Sequence, residues 1–307
     1  MIHVHSIDEV SLQNSWLTIG VFDGVHRGHQ EIIRSLVAGA RQAAAPAVVV
    51  TFWPHPATVL GRGGVRCLTT DDERATLLAS LGVDVIVTHG FDTAVAGTSA
   101  RDFVARLRSR LDFRHLLIGY DFALGKDREG NHTRLVEIGR DLGYDVRVIP
   151  ALSDESGVIS STEIRKLVAT GDVSEAAKLL GHNYGLHGPV VHGDSRGRDL
   201  GFPTANIDYP PEKILPSNGV YACRAWVDGQ RYEAAINVGF RPQFHDAADA
   251  PLVEAYLLDF DRQIYGRDVR LEFIARLRDE QKFGSVPTMV EQIHRDVHLV
   301  REILARG

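Results

Sequence analysis

"GVFDGVHRGHQ", residues 20–30, sets His26 and His29 three apart among Gly20, Gly24 and Gly28, directly after an apolar run from Trp16 to Phe22. The glycines permit tight turns and close approach of a ligand to the backbone. The apolar run reads as a buried strand. Gln30 to Ala44 reads as a helix, with Ile32, Ile33, Leu36, Val37 and Ala40 on one face. The histidines therefore fall at a strand-to-helix junction, where free N–H groups and the helix dipole favour an anion. A glycine-rich turn with incidental surface histidines fits the same spacing, and Asp23 fits a turn-capping residue as well as a functional one.

Working outward, short apolar runs alternate with helical patterns through the first half. "AVVVTF", "DVIVTH", "HLLIG" and "DVRVI" follow "WLTIGVF", with helices expected near 72–81, 100–111 and 134–142. Five strands alternating with helices imply right-handed crossovers and a doubly wound parallel sheet. Ligands of such sheets collect at the carboxyl ends of the strands. The opening motif, "TFWPHP" (51–56), "THGFD" (88–92) and "IGYDFALG" (118–125) all fall there.

Two short helices, "SSTEIRKLVATG" and "VSEAAKLLG", follow, with Gly171 and Gly181 as C-terminal stops. Past Gly181 the rhythm changes to strand-like runs separated by Gly, Pro and Asp turns, with no helix between them. An antiparallel sheet or small barrel is implied, closed by a last helix over about 286–305. That helix carries Met289, Ile293, Val297, Val300 and Leu304 as its core stripe. The domain edge is expected at 182/183.

Composition narrows the function. The chain has 307 residues, 44% hydrophobic and 24% charged, with a net charge of −6. It is of ordinary globular make-up, long enough for two domains, and lacks the basic footprint of a nucleic-acid binder. No apolar run reaches the ~18 residues of a membrane span, and the first ten residues do not read as a signal peptide. Two distant cysteines, Cys67 and Cys223, suit the reducing cytoplasm. The expected partners are small molecules, with the protein a monomer or weak homo-oligomer, and neither nucleic acid nor membrane bound.

No Walker A loop occurs, so phosphates must be held otherwise. His26 and His29 can donate to phosphate oxygens as charge builds at phosphorus. In "ISSTEIR" (159–165), Ser160 or Ser161 can cap a helix whose N–H groups face an anion, with Arg165 one turn on. Alone, that string is equally a simple helix start. In "GPVVHGDSRGRDLGFPTANI" (188–207), Gly193, Gly197 and Gly201 surround Arg196 and Arg198 as a phosphate-gripping loop. Thr204 and Asn206 share one face of an extended segment. Two neutral oxygens suit a magnesium ion whose charge partners come from ATP.

Strand, HxGH and helix, followed by an [ST]xxR helix start, resemble the nucleotidyltransferase superfamily. The fuller set "GVFDGVHRGHQ", "TFWPHP", "IGYDFALGKDREGN" and "ISSTEIR" is similar to the FMN adenylyltransferase module of bacterial bifunctional FAD synthetases. The run 188–207 with "NVGFRPQF", "VEAYLLDF", "IYG" and "LRDEQKF" resembles riboflavin kinase. The resemblance implies a Rossmann-like domain over 1–182, a kinase barrel over 183–307, and conversion of riboflavin to FMN and of FMN to FAD with ATP and Mg2+. It implies ATP-phosphate contacts from His26 and His29 within the loop of Gly20, Phe22, Asp23 and Gly28, and from Ser161, Thr162 and Arg165. Asp121 and Phe122 would lie in the nucleotide pocket, and Phe52, Pro54 and Pro56 on its flavin side. In the barrel, Thr204 and Asn206 would hold magnesium, Gly193 and Arg198 lie by phosphate, and Glu254 act as base. Arg278 and Phe283 would contact flavin. Trp53, Leu124, Gln243 and Tyr256 depart from the family pattern. The competing functions are an HxGH adenylyltransferase for another substrate, an aminoacyl-tRNA synthetase, and a flavin-binding regulator without turnover.

Overall fold

The computed structural model describes residues 1–61, 63–154, 157–193, 201–239 and 251–306. The chain forms two compact units, Met1–Ser161 and Thr162–Gly307.

In the first unit the strands are β1 (Ile2–Val4), β2 (Trp16–Ile19), β3 (Ala47–Trp53), β4 (Val85–Gly90), β5 (His115–Gly119) and β6 (Asp145–Ile149). Between them run α1 (Arg27–Gln42), α2 (Pro56–Val59), α3 (Asp71–Ser80), α4 (Thr93–Ala96), α5 (Ala100–Leu111) and α6 (His132–Leu142). A small antiparallel pair, β7 (Ser153–Asp154) and β8 (Gly157–Val158), follows. The six strands pair in the order β1-β4-β3-β2-β5-β6, every pairing parallel. Successive side chains of a strand face opposite sides, and here both sides are covered. Leu17, Ile19, Val48, Val50, Leu116 and Ile118 meet α5 and α6 through Phe103, Leu107, Leu135 and Ile138. Trp16, Val49, Ile86 and Leu117 meet α1 and α3 through Ile33, Leu36, Ala40 and Leu78. Such burial on both faces is why these strands read as unbroken apolar runs. The five expected strands become six: β1, only three residues long and pairing solely with β4 at the sheet edge, was too short and too polar to register as a strand.

The chain leaves β2 toward β3 and β4 on one side and later occupies β5 and β6 on the other. The order reverses at β2, and the loop after it opens at the crevice where such sheets bind ligands.

The second unit holds most of α7 (Ser161–Thr170), then α8 (Val173–Leu180), β9 (Tyr184–Val191), β10 (Ala205–Ile207), β11 (Gly219–Val227), β12 (Gln230–Gly239), β13 (Leu252–Leu257), β14 (Asp268–Arg278) and α9 (Val286–Ala305). The strands close into an antiparallel barrel, β10-β13-β12-β11-β14-β9. Gly171 and Gly181 end α7 and α8 at positive φ, 87° and 75°, as expected of helix stops. Compact packing divides the chain at 161/162, twenty-one residues before the expected edge. Val173, Ala176, Leu179 and Leu180 of α8 are buried, and α8 packs on β14 and β9. Helix α9 buries only the C-terminal half of its expected stripe. Val300 and Leu304 are in the core beside Ala222 and Leu258, whereas Met289 and Ile293 are half-buried.

Candidate active sites

The first site is built on the N-terminus of α1. His26 is the N-cap: its backbone is extended (φ −64°, ψ 170°) and its Nδ1 accepts the His29 N–H at 3.3 Å. The helix thus starts at Arg27, three residues earlier than the apolar stripe predicts. An imidazole that accepts through Nδ1 carries its proton on Nε2 in the neutral form, so His26 is a fixed Nε2–H donor. The His29 ring stacks on it at 3.6 Å between centroids and 21° between planes. Phe22 meets His29 edge-on at 5.2 Å. Burial, followed by the charges of His26 and Arg74, holds the His29 imidazole well below its usual range. Its ring keeps partial solvent access, while its Nδ1 is enclosed without a hydrogen-bond partner among the described residues. At Gly28 a Cβ would lie 3.2 Å from the His26 ring, and at Gly20 a Cβ would lie 2.8 Å from the Phe22 ring. Both glycines make room for the aromatic groups of the loop.

Asp23 is 2% exposed. It accepts from Leu68 N (2.9 and 3.1 Å), Thr69 N (3.0 Å) and the Thr69 hydroxyl (3.3 Å). These bonds clasp the 67–69 segment to the histidine loop. Ser161 donates its hydroxyl to the Asp23 carbonyl at 2.9 Å, which fixes the first residue of α7 to the histidine loop. Thr162 and Arg165 lie one turn apart on α7, hence on one face.

Arg74, on α3, had no local signal in the sequence. It is 1% exposed, donates to Val21 O at 2.8 Å and Phe52 O at 3.3 Å, and stands 5.7 Å over the Trp53 ring. One guanidinium therefore joins the loop after β2 to the end of β3. Phe52 is 9% exposed and packs on Phe91 and Phe103, so it supports the site from the core. Pro54 follows β3, and Pro56 opens α2 behind the His55 cap. Asp121 is exposed after β5, and Phe122 packs partly into the core.

The second site is a row across the outside of the barrel. Asn206 on β10 is opposite Glu254 on β13, and Glu254 is opposite Asn237 on β12. Opposite residues of antiparallel strands share a face, with Cβ atoms about 5 Å apart. A carboxylate thus lies between two amides, all half-buried. Asn237 was not singled out as a site residue, because only strand register brings it to Glu254. Thr204 is exposed two residues before Asn206. A Cβ on Gly193 would lie 2.0 Å from Asn206 Nδ2, so glycine leaves the space this amide fills. Arg278 gives a bidentate pair to Asp296 on α9, at 3.0 and 2.7 Å, and stands 5.9 Å from the Phe283 ring. Tyr256 meets Phe202 edge-on at 5.5 Å, and Phe202 meets His294 at 5.2 Å. Arg198 and Gln243 lie outside the described residues.

Both halves match family models: FAD synthetase over residues 8–163 and riboflavin kinase over residues 180–304. A bifunctional riboflavin kinase/FMN adenylyltransferase from Listeria monocytogenes is 36% identical over 306 residues, covering 99% of this chain and 97% of that protein. The chain belongs to the bifunctional riboflavin kinase/FMN adenylyltransferase family. The Bacillus subtilis member is 34% identical over 297 residues, covering 96% of this chain and 94% of that one. A crystal structure described as a macrolide-efflux protein from Streptococcus pneumoniae superposes with a TM-score of 0.87 at 31% identity, covering 98% of both chains. Among the described residues of the present chain, no helix is long and apolar enough to cross a membrane. As a member of this family the chain is a kinase and a nucleotidyltransferase acting on riboflavin and FMN, with FMN and FAD as products.

Proposed function

We propose that the loop at 20–29 transfers AMP from ATP to FMN, and that the row on the barrel transfers the γ-phosphoryl group of ATP to riboflavin. In the first reaction a phosphate oxygen of FMN attacks the α-phosphorus of ATP, and the bond to pyrophosphate breaks. His26 Nε2–H and the neutral His29 ring meet the oxygens on which charge accumulates, at the positive end of the sixteen-residue α1. Thr162 and Arg165, on one face of α7, are phosphate-binding residues by family resemblance. Gly20, Phe22 and Gly28 shape the loop, Asp23 and Ser161 hold it, Asp121 and Phe122 border the nucleotide, and Phe52, Pro54 and Pro56 border the flavin.

In the second reaction Glu254 accepts the proton of the ribityl 5′-hydroxyl as its oxygen bonds to the γ-phosphorus and ADP leaves. Asn206 and Asn237 flank Glu254 in the strand register. The neutral oxygens of Thr204 and Asn206 fit Mg2+, which when bound with ATP would neutralise phosphate charge. Gly193 and Arg198 border the phosphates, and Arg278 and Phe283 border the flavin. Cys67 and Cys223 are buried and form no disulfide, which supports a reducing, cytoplasmic setting.

The observation that carries this reading is the Asn206–Glu254–Asn237 register. Glu254→Gln keeps the hydrogen-bonding length and loses the proton acceptor. FMN formation from riboflavin should fall ~10²–10⁴-fold, while FMN-to-FAD conversion by the same preparation persists. Near-normal phosphorylation by Glu254→Gln would remove Glu254 as the base.

A further inference from the structure

Strand β1 and the first turn of α3 bring together a group that neither transferase reaction uses. His3 and His5 alternate along the β1 segment, so they project to the same face of the sheet edge, with ring centroids 4.7 Å apart. Asp71 opens α3 beneath them. His3 Nε2 is 4.0 Å from Asp71 Oδ1, and His5 Nδ1 is 3.5 Å from Asp71 Oδ2. The three ligand atoms all lie within 4.8 Å of one another.

We propose that His3, His5 and Asp71 form a binding site for a divalent first-row transition ion of the zinc class. Two imidazoles and one carboxylate are a donor set for zinc, cobalt or nickel, and a poor one for magnesium. Such ions bind nitrogen and oxygen at about 2.0–2.2 Å, so tetrahedral ligands stand roughly 3.5 Å apart. The group must contract by about 1 Å to reach that spacing. His5 supplies the movement: its side chain is 64% exposed, against 18% for His3 and 16% for Asp71. The less mobile pair is already aligned. Thr88 donates its hydroxyl hydrogen to Asp71 Oδ1 at 2.7 Å, so its oxygen accepts from His3 Nε2–H at 2.9 Å. On binding, the His3 proton moves to Nδ1 and Nε2 becomes the ligand. Thr88 remains the outer partner that orients the carboxylate, a common support of metal sites. Arg74, the nearest cation, is 3.8 Å from Asp71 Oδ1, which leaves Oδ2 to coordinate beside His5. Water completes the four ligands.

The chelator-stripped full-length protein, titrated with Co2+, should develop a saturable visible ligand-field band at one equivalent, and Zn2+ should abolish it. The chain has 14 histidines, so the readout is the difference between the wild type and variants. His5→Ala and, separately, His3→Gln should each weaken Co2+ binding by at least ~10-fold. His5→Ala should leave FMN-to-FAD conversion unchanged, since His5 belongs to neither transfer site. The absence of a saturable band, or a band of equal strength and affinity in His5→Ala, would overturn the assignment.

Discussion

Gly193→Ala is the sharpest probe of the kinase row. The residue follows β9 and is not among the glycines with positive φ, so alanine meets no backbone strain there. The new Cβ would lie 2.0 Å from Asn206 Nδ2, 2.8 Å from its Cγ and 3.1 Å from its Oδ1. Restoring ordinary contact at about 3.5 Å moves the amide by roughly 1.5 Å. Because the obstacle is the end of a flexible side chain, the unit should fold with little loss of stability. The displaced group is half of the proposed magnesium pair and a direct neighbour of Glu254. Misplacing a reacting constellation by about 1 Å costs on the order of 10²-fold, equivalent to ~2.7 kcal/mol of barrier. The assay is separation of riboflavin, FMN and FAD after incubation with ATP and Mg2+, with FMN-to-FAD conversion as the internal measure of intact protein. Gly185→Ala on β9, where the nearest atom to the new Cβ is 3.4 Å away, is the control and should be benign. Near-normal riboflavin phosphorylation by folded Gly193→Ala would refute the role assigned to Asn206.

Asp296→Ala leaves Arg278, whose side chain is 16% exposed, without its bidentate carboxylate; a loss of roughly 3 kcal/mol and a raised KM for riboflavin should appear in melting and saturation curves. The folded-state pKa of His29 is depressed, chiefly by burial, so between that value and the unfolded value near 6.5 only the unfolded chain gains the proton. Stability of the first unit should therefore fall as pH drops below about 6.5, by up to ~1.4 kcal/mol per pH unit for this group. Urea unfolding at successive pH values should show a flatter dependence in His29→Gln. A fragment of residues 162–307 should fold and make FMN but no FAD. A fragment of residues 182–307 loses the buried face of α8, with Val173, Ala176, Leu179 and Leu180, on the order of 5 kcal/mol of burial; it should be the less stable of the two by circular dichroism.

Sequence carried the helices and the central strands because their signals are local. The stripe of α1 and the double-sided burial of β2 to β5 leave apolar patterns that periodicity detects. β1 escaped because His3 interrupts three residues at a sheet edge. Among site residues, His26 and His29 were legible from spacing and glycine content. The hydrogen bonds of the Asp23 carboxylate were not, since Leu68 and Thr69 lie about 45 residues away. Arg74 lay hidden in an ordinary helical segment, where nothing local marks an arginine as buried. Glu254 stood out only through family resemblance, and Asn237 needed the barrel register. Compact packing divides the chain at 161/162 rather than at the linker-like stretch Gly181 to Leu186, because α8 packs on the barrel strands β14 and β9.

The Asn206–Glu254–Asn237 row has a bearing on how this enzyme tolerates insertions and deletions. Its members come from three strands of a closed barrel, and side-chain orientation inverts with every residue of slip. A single-residue insertion early in β13 would turn Glu254 toward the interior and bring Val253 outward between the two asparagines. Closure prevents the neighbouring strands from following the shift without carrying it around the whole ring. Lineages of this family can therefore vary in length freely only where strands are joined. Within β10, β12 and β13, length changes should survive in steps of two residues or as bulges beyond the row.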